Sequence, residues 1–145
     1  RDYKRLFTQP KQQAVGIYET MFLYQPEEGT SEKPVLFVSA AALDAERCYR
    51  QAGLVRAKEV NEPADHMATE MEFMSYLWLQ KAIALRENDQ EGLNKRNEQI
   101  REFSEIHLRK WAIAFYDECF LSSKTDVYQT FGQIGSVFMG NMLNR

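Results

Sequence analysis

The sequence has little of what marks several common protein classes. It holds 2 cysteines, Cys48 and Cys119, which lie far apart and lack the spacing of metal ligands. We therefore expect two small buried thiols in a reducing compartment rather than a disulfide or a zinc site. No apolar run approaches the roughly 18 residues that a membrane span requires. The net charge of -3 argues against a nucleic-acid-binding surface, because such surfaces carry a basic excess.

Motifs for nucleotide binding, hydrolysis and metal binding are also missing. The 7 glycines are dispersed, and neither a G-x-x-x-x-G-K-[ST] loop nor a G-x-S-x-G turn occurs. Gly132, Gly135 and Gly140 lie within the last helical pattern, where close helix packing explains them. His66 and Glu70 are four residues apart, but no third or fourth ligand is evident. We therefore expect no catalytic residue, no metal and no cofactor.

Apolar residues at helical spacing fill most of the chain, and no strand-like alternation extends beyond a few residues. The helical stretches are 1–7, 35–52, 62–86, 89–119 and the part from 122 onward, with an apolar cluster at 18–22 and a loop at 24–34. The pattern leaves open whether the stretch 89–119 bends near His107. Because helices with apolar stripes must bury them against one another, the sequence predicts an all-α fold. We expect a compact bundle of about six helices in a single domain over residues 1–145.

The helix start N-E-P-A-D-H organises the chain. Pro63 is tolerated in a first turn, where its missing N–H would have no partner. Asn61 or Glu62 can cap the helix, and Asp65 adds negative charge where the helix dipole favours it. We therefore expect Asp65 and His66 in the first turn of a long helix, at its exposed end. As an enzymatic acid–histidine pair they would lack a nucleophile, and serving the helix end explains them more simply.

A stripe of large apolar residues follows this start. Met67, Met71, Met74 and Trp78 are separated by four, three and four residues, which places them on one helix face. Methionines adapt to varied partners, so the stripe could line a groove for an apolar peptide. A stripe at this spacing is more often part of the core, and the core interpretation is favoured.

Three motifs, in order along the chain, resemble the signatures of one known family. D-Y-K-R-L-F at 2–7, followed by Pro10, resembles the Y-x-x-L-F signature of the TorD/DmsD/NarJ family of redox-enzyme maturation chaperones. E-P-A-D-H at 62–66 resembles its E-P-x-D-H signature. H-L-R-K-W at 107–111, followed by Phe115, resembles its H-L-x-x-W-x-x-x-F segment. Each motif alone is weak, whereas the ordered set spans nearly the whole chain.

The resemblance implies a function. Members of this family are all-helical, cytoplasmic, non-enzymatic chaperones without a cofactor of their own. They bind the twin-arginine signal peptide, or another N-terminal segment, of a molybdenum-containing oxidoreductase until its cofactor is inserted. Guanidinium groups seek carboxylates, and an apolar leader seeks a groove. The residues that the resemblance assigns to peptide binding are Glu62, Pro63, Asp65 and His66, with Tyr18 and Glu19 close to the groove. Replacing Asp65 and His66 is then expected to weaken peptide binding without unfolding the bundle.

Several alternatives stay open at this point. Family members usually carry more helices before Y-x-x-L-F, so the resemblance implies a domain that is N-terminally incomplete. Such a bundle exposes apolar surface that a second copy could cover, giving a homodimer that exchanges a segment. The competing functions are a guanine-nucleotide-binding protein or an enzyme that uses Asp65 and His66, and a helical adaptor without a peptide groove. The sequence identifies neither the client enzyme nor the charge state of His66.

Overall fold

The structure is a computed structural model, and it describes residues 2–8, 14–25, 33–55, 57 and 61–144. The α-helices of this part are α1 (Glu19–Phe22), α2 (Ala40–Gln51), α3 (Met67–Arg86), α4 (Gln90–Phe103), α5 (Arg109–Ser122) and α6 (Asp126–Leu143). A 3₁₀ turn lies at Leu36–Val38, and π-helical turns lie at Lys4–Thr8 and Ser104–Leu108. Among the described residues the one β feature is an isolated bridge. The predicted all-α bundle is therefore confirmed.

The Y-x-x-L-F segment anchors the start of the described chain. Leu6 and Phe7 are buried in the core. Tyr3 is half-exposed, and the centroid of its ring lies 5.4 Å from that of Phe7. The Asp2 carboxylate accepts hydrogen bonds from Ser123 and Thr125 at 2.9 Å. This carboxylate therefore ties the segment to the turn between α5 and α6. Most of the predicted loop at 24–34 lies outside the described residues.

Helix α2 begins later than the apolar pattern indicated. Ser39 is its N-cap and accepts a hydrogen bond from the Ala42 N–H at 3.1 Å, after the preceding 3₁₀ turn. Gly53 follows its end with a φ of 88°, a left-handed conformation that glycine adopts without a Cβ clash. The predicted end of the stretch 35–52 is thus confirmed, whereas its start shifts to Ser39, a residue able to cap the helix.

Helix α3 ends at Arg86, as the predicted stretch 62–86 indicated, and Asp89 is the N-cap of α4. Asn88 adopts a φ of 57°, and the Asp89 carboxylate accepts from the Gly92 N–H at 2.9 Å. Helix α4 then continues through the π-helical turn into α5, which answers the question that the sequence left open at His107. The extra residue in this wide turn directs His107 and Leu108 into the core.

Helices α5 and α6 pack closely through glycine. A Cβ on Gly132 would lie 2.5 Å from the Phe120 backbone nitrogen, and one on Gly135 would overlap the Tyr116 ring. The predicted packing role is therefore confirmed at both positions. It is wrong for Gly140, where a Cβ would meet nothing within 4 Å.

The apolar stripe of α6 faces outward rather than into the bundle. Val127 is 72% exposed and Ile134 is 65% exposed, and Phe131 and Phe138 on the same stripe are also exposed. The expectation that every apolar stripe is buried is wrong here. The glycine side of α6 approaches α5 closely instead, and Phe131 is the stripe residue whose ring packs on Tyr116 of α5.

The core forms around the π-helical turn and the middle of α3. Its largest fully buried side chains are Trp111, Phe103, Leu6, Met74, Leu77, Leu108 and Met139. Cys48 and Cys119 are buried as predicted, and burial raises the pKa of the Cys48 thiol to about 11 and that of Cys119 to about 12. No helix in the described part of the chain is long and apolar enough to cross a membrane.

Candidate functional site at the start of helix α3

A short antiparallel bridge brings the predicted site residues together. The Glu19 N–H donates to the Asp65 carbonyl and the Met67 N–H donates to the Ile17 carbonyl, each at 2.9 Å. Tyr18 therefore pairs with His66 although 48 positions separate them in the sequence. The sequence pattern gave no sign of this pairing, since a single bridge leaves no alternation.

Asp65 is not at an exposed helix end. It is 0% exposed and precedes α3, whose first residue is Met67. Its Oδ2 atom accepts from the Thr20 N–H at 2.9 Å and from the Thr20 hydroxyl at 2.5 Å. The Ser39 hydroxyl oxygen lies 2.7 Å from that of Thr20. The expectation of an exposed position within the first turn of α3 is therefore wrong. The Asp65 carboxylate joins α1 to the start of α3.

His66 is the N-cap of α3, in place of the expected Asn61 or Glu62. Its Nδ1 atom accepts a hydrogen bond from the Ala68 N–H at 3.0 Å, so the proton of the neutral ring sits on Nε2. Burial lowers the pKa of His66, while the nearby carboxylates of Glu62 and Asp65 oppose that shift. The neutral ring that caps the helix is therefore the favoured form at neutral pH.

Glu62 and Tyr18 form the exposed side of the site. The Tyr18 hydroxyl donates a short hydrogen bond to Glu62 Oε2, and the Tyr18 ring lies edge-on to His66 with 5.2 Å between ring centroids. Burial, followed by the interaction with Glu62, raises the pKa of Tyr18. The Tyr18 hydroxyl therefore stays a donor, and it holds the Glu62 carboxylate beside the imidazole.

Pro63 and Glu19 are buried with Asp65. Glu19 is 2% exposed, and its Oε2 atom lies 2.6 Å from Nδ1 of His107. The Tyr49 hydroxyl donates to the Ala64 carbonyl at 2.7 Å, which fixes the turn around Pro63. The structure thus divides the predicted residues into a surface set (Tyr18, Glu62 and His66) and a buried set (Glu19, Pro63 and Asp65).

Beneath the site lies a buried polar network that was not predicted from the sequence. His107 Nε2 lies 3.1 Å from Asp44 Oδ2, and the Trp111 indole N–H donates to Glu70 Oε2 at 3.1 Å. Burial and the neighbouring charge of Glu19 raise the pKa of Glu70 well above its usual range. One signal was available in the sequence: His107 and Trp111 are one helical turn apart and so share a face.

An apolar groove of about 720 Å³ lies between α3 and α6. Its lining residues are Met71, Met74, Ser75, Trp78, Phe138, Asn141 and Met142. Of the predicted stripe, Met67 and Met74 are buried, whereas Met71 is half-buried and Trp78 is 41% exposed. The stripe therefore contributes both to the core and to the groove. The reason is that α6 covers only part of the face of α3 that carries the stripe.

The comparisons with known proteins agree with the three motifs. A family model described as nitrate reductase delta subunit matches residues 1–117. The chain is 27% identical over 133 residues to Chaperone protein TorD of Photobacterium profundum, an alignment that covers 82% of this chain. The chain spans 60% of the length of that relative. No solved structure gave a significant match. Because the family model covers well over half of its residues, this chain belongs to the nitrate reductase delta subunit family, the TorD/NarJ group that its motifs resembled.

Proposed function

We propose that this protein is a non-enzymatic chaperone for redox-enzyme maturation. It binds the twin-arginine signal peptide, or another N-terminal segment, of a molybdenum-containing oxidoreductase subunit in the cytoplasm. It holds the apo-enzyme for cofactor insertion before export. The observation that carries this proposal is an exposed carboxylate at the start of α3 followed, along the same helix, by an apolar groove.

The basic end of the peptide binds at the surface set. Glu62 is exposed, and a carboxylate is the natural partner of a guanidinium, which it can bind through two hydrogen bonds. The hydrogen bond from Tyr18 orients that carboxylate before the peptide arrives. The lowered pKa of His66 keeps its ring neutral, so it does not repel arginine.

The apolar part of the peptide lies in the groove. Met71 and Trp78 follow His66 by 5 and 12 residues, which corresponds to about 8 and 18 Å along a helix axis. An extended peptide covers those distances in roughly 2 to 5 residues. One segment with a basic start and an apolar continuation can therefore occupy both places, and the methionines let the groove accept varied side chains.

The buried set acts by positioning. Asp65 and Glu19 hold the bridge that sets Tyr18 beside His66, and Pro63 fixes the turn that presents Glu62. In this proposal none of the three contacts the peptide directly. Their replacement is expected to disturb the surface set through the fold.

The proposal includes a homodimer, which could form with exchange of a segment. The outer face of α6 exposes Val127, Ile134 and Val137, and its helix carries one charged residue, Asp126, among those described. Exposed apolar surface of this kind is usually covered by a partner. Light scattering over a range of concentrations would measure the mass, and a monomer at all concentrations would remove the dimer from the proposal.

The competing functions have weaker support. Asp65 is enclosed and bonded to Thr20, so the acid–histidine pair offers no solvent-facing carboxylate for catalysis. An adaptor without a groove is disfavoured because Met71 and Trp78 line a cleft beyond the start of α3. No contact of the described residues favours a guanine-nucleotide site.

Calorimetric titration with a twin-arginine leader peptide tests the proposal. Binding should weaken about tenfold, or ~1.4 kcal/mol, in Glu62→Gln, because a charge-assisted pair becomes a neutral one. Trp78→Ala should weaken binding of the same peptide. It should also weaken binding of a version in which both arginines are replaced. Glu91→Gln is the matched control, since Glu91 is an exposed acid beyond the far end of α3, about 30 Å along the axis.

The outcomes separate the parts of the proposal. Arginine-dependent binding that Glu62→Gln leaves unchanged would move the basic subsite elsewhere. Binding that Trp78→Ala leaves unchanged would remove the groove from it. A failure of the protein to bind any leader encoded near its own gene would contradict the chaperone function itself.

A further inference from the structure

The buried network below the surface set contains three side chains arranged like metal ligands. Glu19, Glu70 and His107 are each 2% exposed or less. One ligand atom of each lies within 4.8 Å of those of the other two. None of the three reaches the peptide surface, so the proposed function does not account for their convergence.

The Glu70 side chain is incompletely paired. Its Oε2 atom accepts from Trp111, but its Oε1 atom is buried and has no hydrogen-bond donor among the described residues. Burial raises the pKa of Glu70, and the second buried carboxylate beside it, that of Glu19, raises that pKa further. Two enclosed carboxylates require positive charge or protons, because an uncompensated buried charge is very costly.

His107 is oriented as a ligand would be. Its Nδ1 atom faces Glu19 at 2.6 Å, and its Nε2 atom faces the Asp44 carboxylate at 3.1 Å. Metal-binding histidines commonly donate their other ring N–H to a carboxylate, which fixes the tautomer and the ring direction. In the tautomer that donates Nε2–H to Asp44, the Nδ1 lone pair faces Glu19 Oε2, and the Glu70 carboxylate has a ligand atom within 4.8 Å of both.

We propose that Glu19, Glu70 and His107 bind one divalent transition-metal ion, with Asp44 and Trp111 orienting the ligands. One imidazole nitrogen and two carboxylate oxygens suit Zn²⁺ or Mn²⁺. Two carboxylates and a neutral imidazole balance the charge of a divalent ion. The ion joins α1, α3 and the π-helical turn, and so it fixes Glu19 next to Tyr18.

A neighbouring ligand set is less suitable. Asp44, Cys48 and His107 also converge, but burial raises the pKa of the Cys48 thiol to about 11, so the thiol keeps its proton at neutral pH. Asp44 is also paired with Arg47 at 2.8 Å. This set therefore serves as the outer support of the first.

Refolding with and without metal tests the proposal. Because the cluster is fully buried, the protein is unfolded with a chelator and refolded with Zn²⁺, with Mn²⁺ or without metal. Elemental analysis after gel filtration should find one ion retained per chain for at least one metal. The Tm should rise with the concentration of that ion. Retention of neither metal would overturn the proposal.

Matched variants locate the ion. Glu70→Gln keeps an acceptor for Trp111 and needs no ionisation to remain buried, so it should fold and lose both the retained ion and the Tm shift. The chain has 2 histidines, which gives His107→Gln and His66→Gln as a pair, and Cys48→Ser tests the neighbouring set. Loss in His107→Gln with retention in His66→Gln and Cys48→Ser supports the site.

Other patterns overturn it. Full retention in Glu70→Gln, or loss in His66→Gln, would show that the ion binds elsewhere. The buried cluster would then be a hydrogen-bonded network that holds no ion. Since the leader titration does not depend on the metal, failure of this proposal leaves the proposed chaperone function untouched.

Discussion

Two carboxylates of the segment E-P-A-D-H have opposite surroundings although they lie only three positions apart. Glu62 is exposed and accepts a hydrogen bond from Tyr18. Asp65 is enclosed and accepts hydrogen bonds from the backbone and the hydroxyl of Thr20. The difference arises from the bridge between residues 18 and 66, which covers one side of the segment and leaves the other open. One acid therefore supports the fold from inside the protein, and the other lies on its surface.

The largest expected effect comes from removing the buried acid. Asp65→Ala leaves the Thr20 N–H without its side-chain acceptor, removes one of the two acceptors of the Thr20 hydroxyl and opens a cavity. We therefore expect a loss of about 3 kcal/mol in the free energy of unfolding. Urea denaturation measures it, with Glu62→Ala as the control. This reverses the expectation from the sequence that Asp65 could be replaced without unfolding the bundle. Equal stability of the two variants would remove the distinction between the acids.

The second effect concerns the pH dependence of stability. The pKa of Glu70 is raised in the folded protein, whereas the unfolded chain loses this proton near its usual pKa of about 4.3. Above that pH the folded state holds the proton that the unfolded state has released, so stability falls as the pH rises. The slope can reach about 1.4 kcal/mol per pH unit for one proton.

Glu70→Gln should flatten this fall. Denaturation curves from about pH 5 to pH 8, a range above the usual carboxyl pKa, would be recorded with a chelator present. They would compare the variant with the parent and with Glu62→Gln. An unchanged slope in Glu70→Gln would mean that the buried carboxyl ionises in both states at the same pH.

The third effect concerns the histidine that follows the buried acid. His66→Ala removes the N-cap of α3 and should lower the free energy of unfolding by about 1 kcal/mol, whereas His66→Asn supplies another good cap.

The same histidine should make stability depend on pH. Because burial lowers the pKa of His66, the folded state resists protonation at pH values where the unfolded ring accepts a proton. The stabilisation is therefore present above pH ~6.5 and lost as the pH falls below that value. His66→Asn should remove this dependence, and its persistence would assign it to another group.

The smallest effect on stability is expected at the exposed acid. Glu62→Gln should change the free energy of unfolding by less than about 0.5 kcal/mol, since the residue is on the surface and an amide still accepts from Tyr18. The effect of Glu62→Gln on leader binding should be larger than its effect on stability. A substantial loss of stability in thermal denaturation would place Glu62 with Asp65 as a structural residue.

The two sides of α6 show why its apolar stripe was wrongly predicted to be buried. Large apolar residues at helical steps predicted a buried face, yet Val127 and Ile134 are exposed and the glycines contact α5. A periodic pattern identifies which residues share a face. It does not say which face a neighbouring helix will approach, because close approach favours small residues as readily as large ones.

The sequence alone determined that the chain is helical and where most of its helices lie. Caps and breakers such as Asp89 and Gly53 act through the nearest backbone groups, so the start of α4 and the end of α2 could be predicted from the residues themselves. The ordered motifs identified the family. Only the tertiary structure decided which members of E-P-A-D-H are buried, that His66 caps α3, and that Glu19, Glu70 and His107 meet. Those outcomes depend on contacts between residues tens of positions apart. Local sequence does not show which distant residues will come into contact.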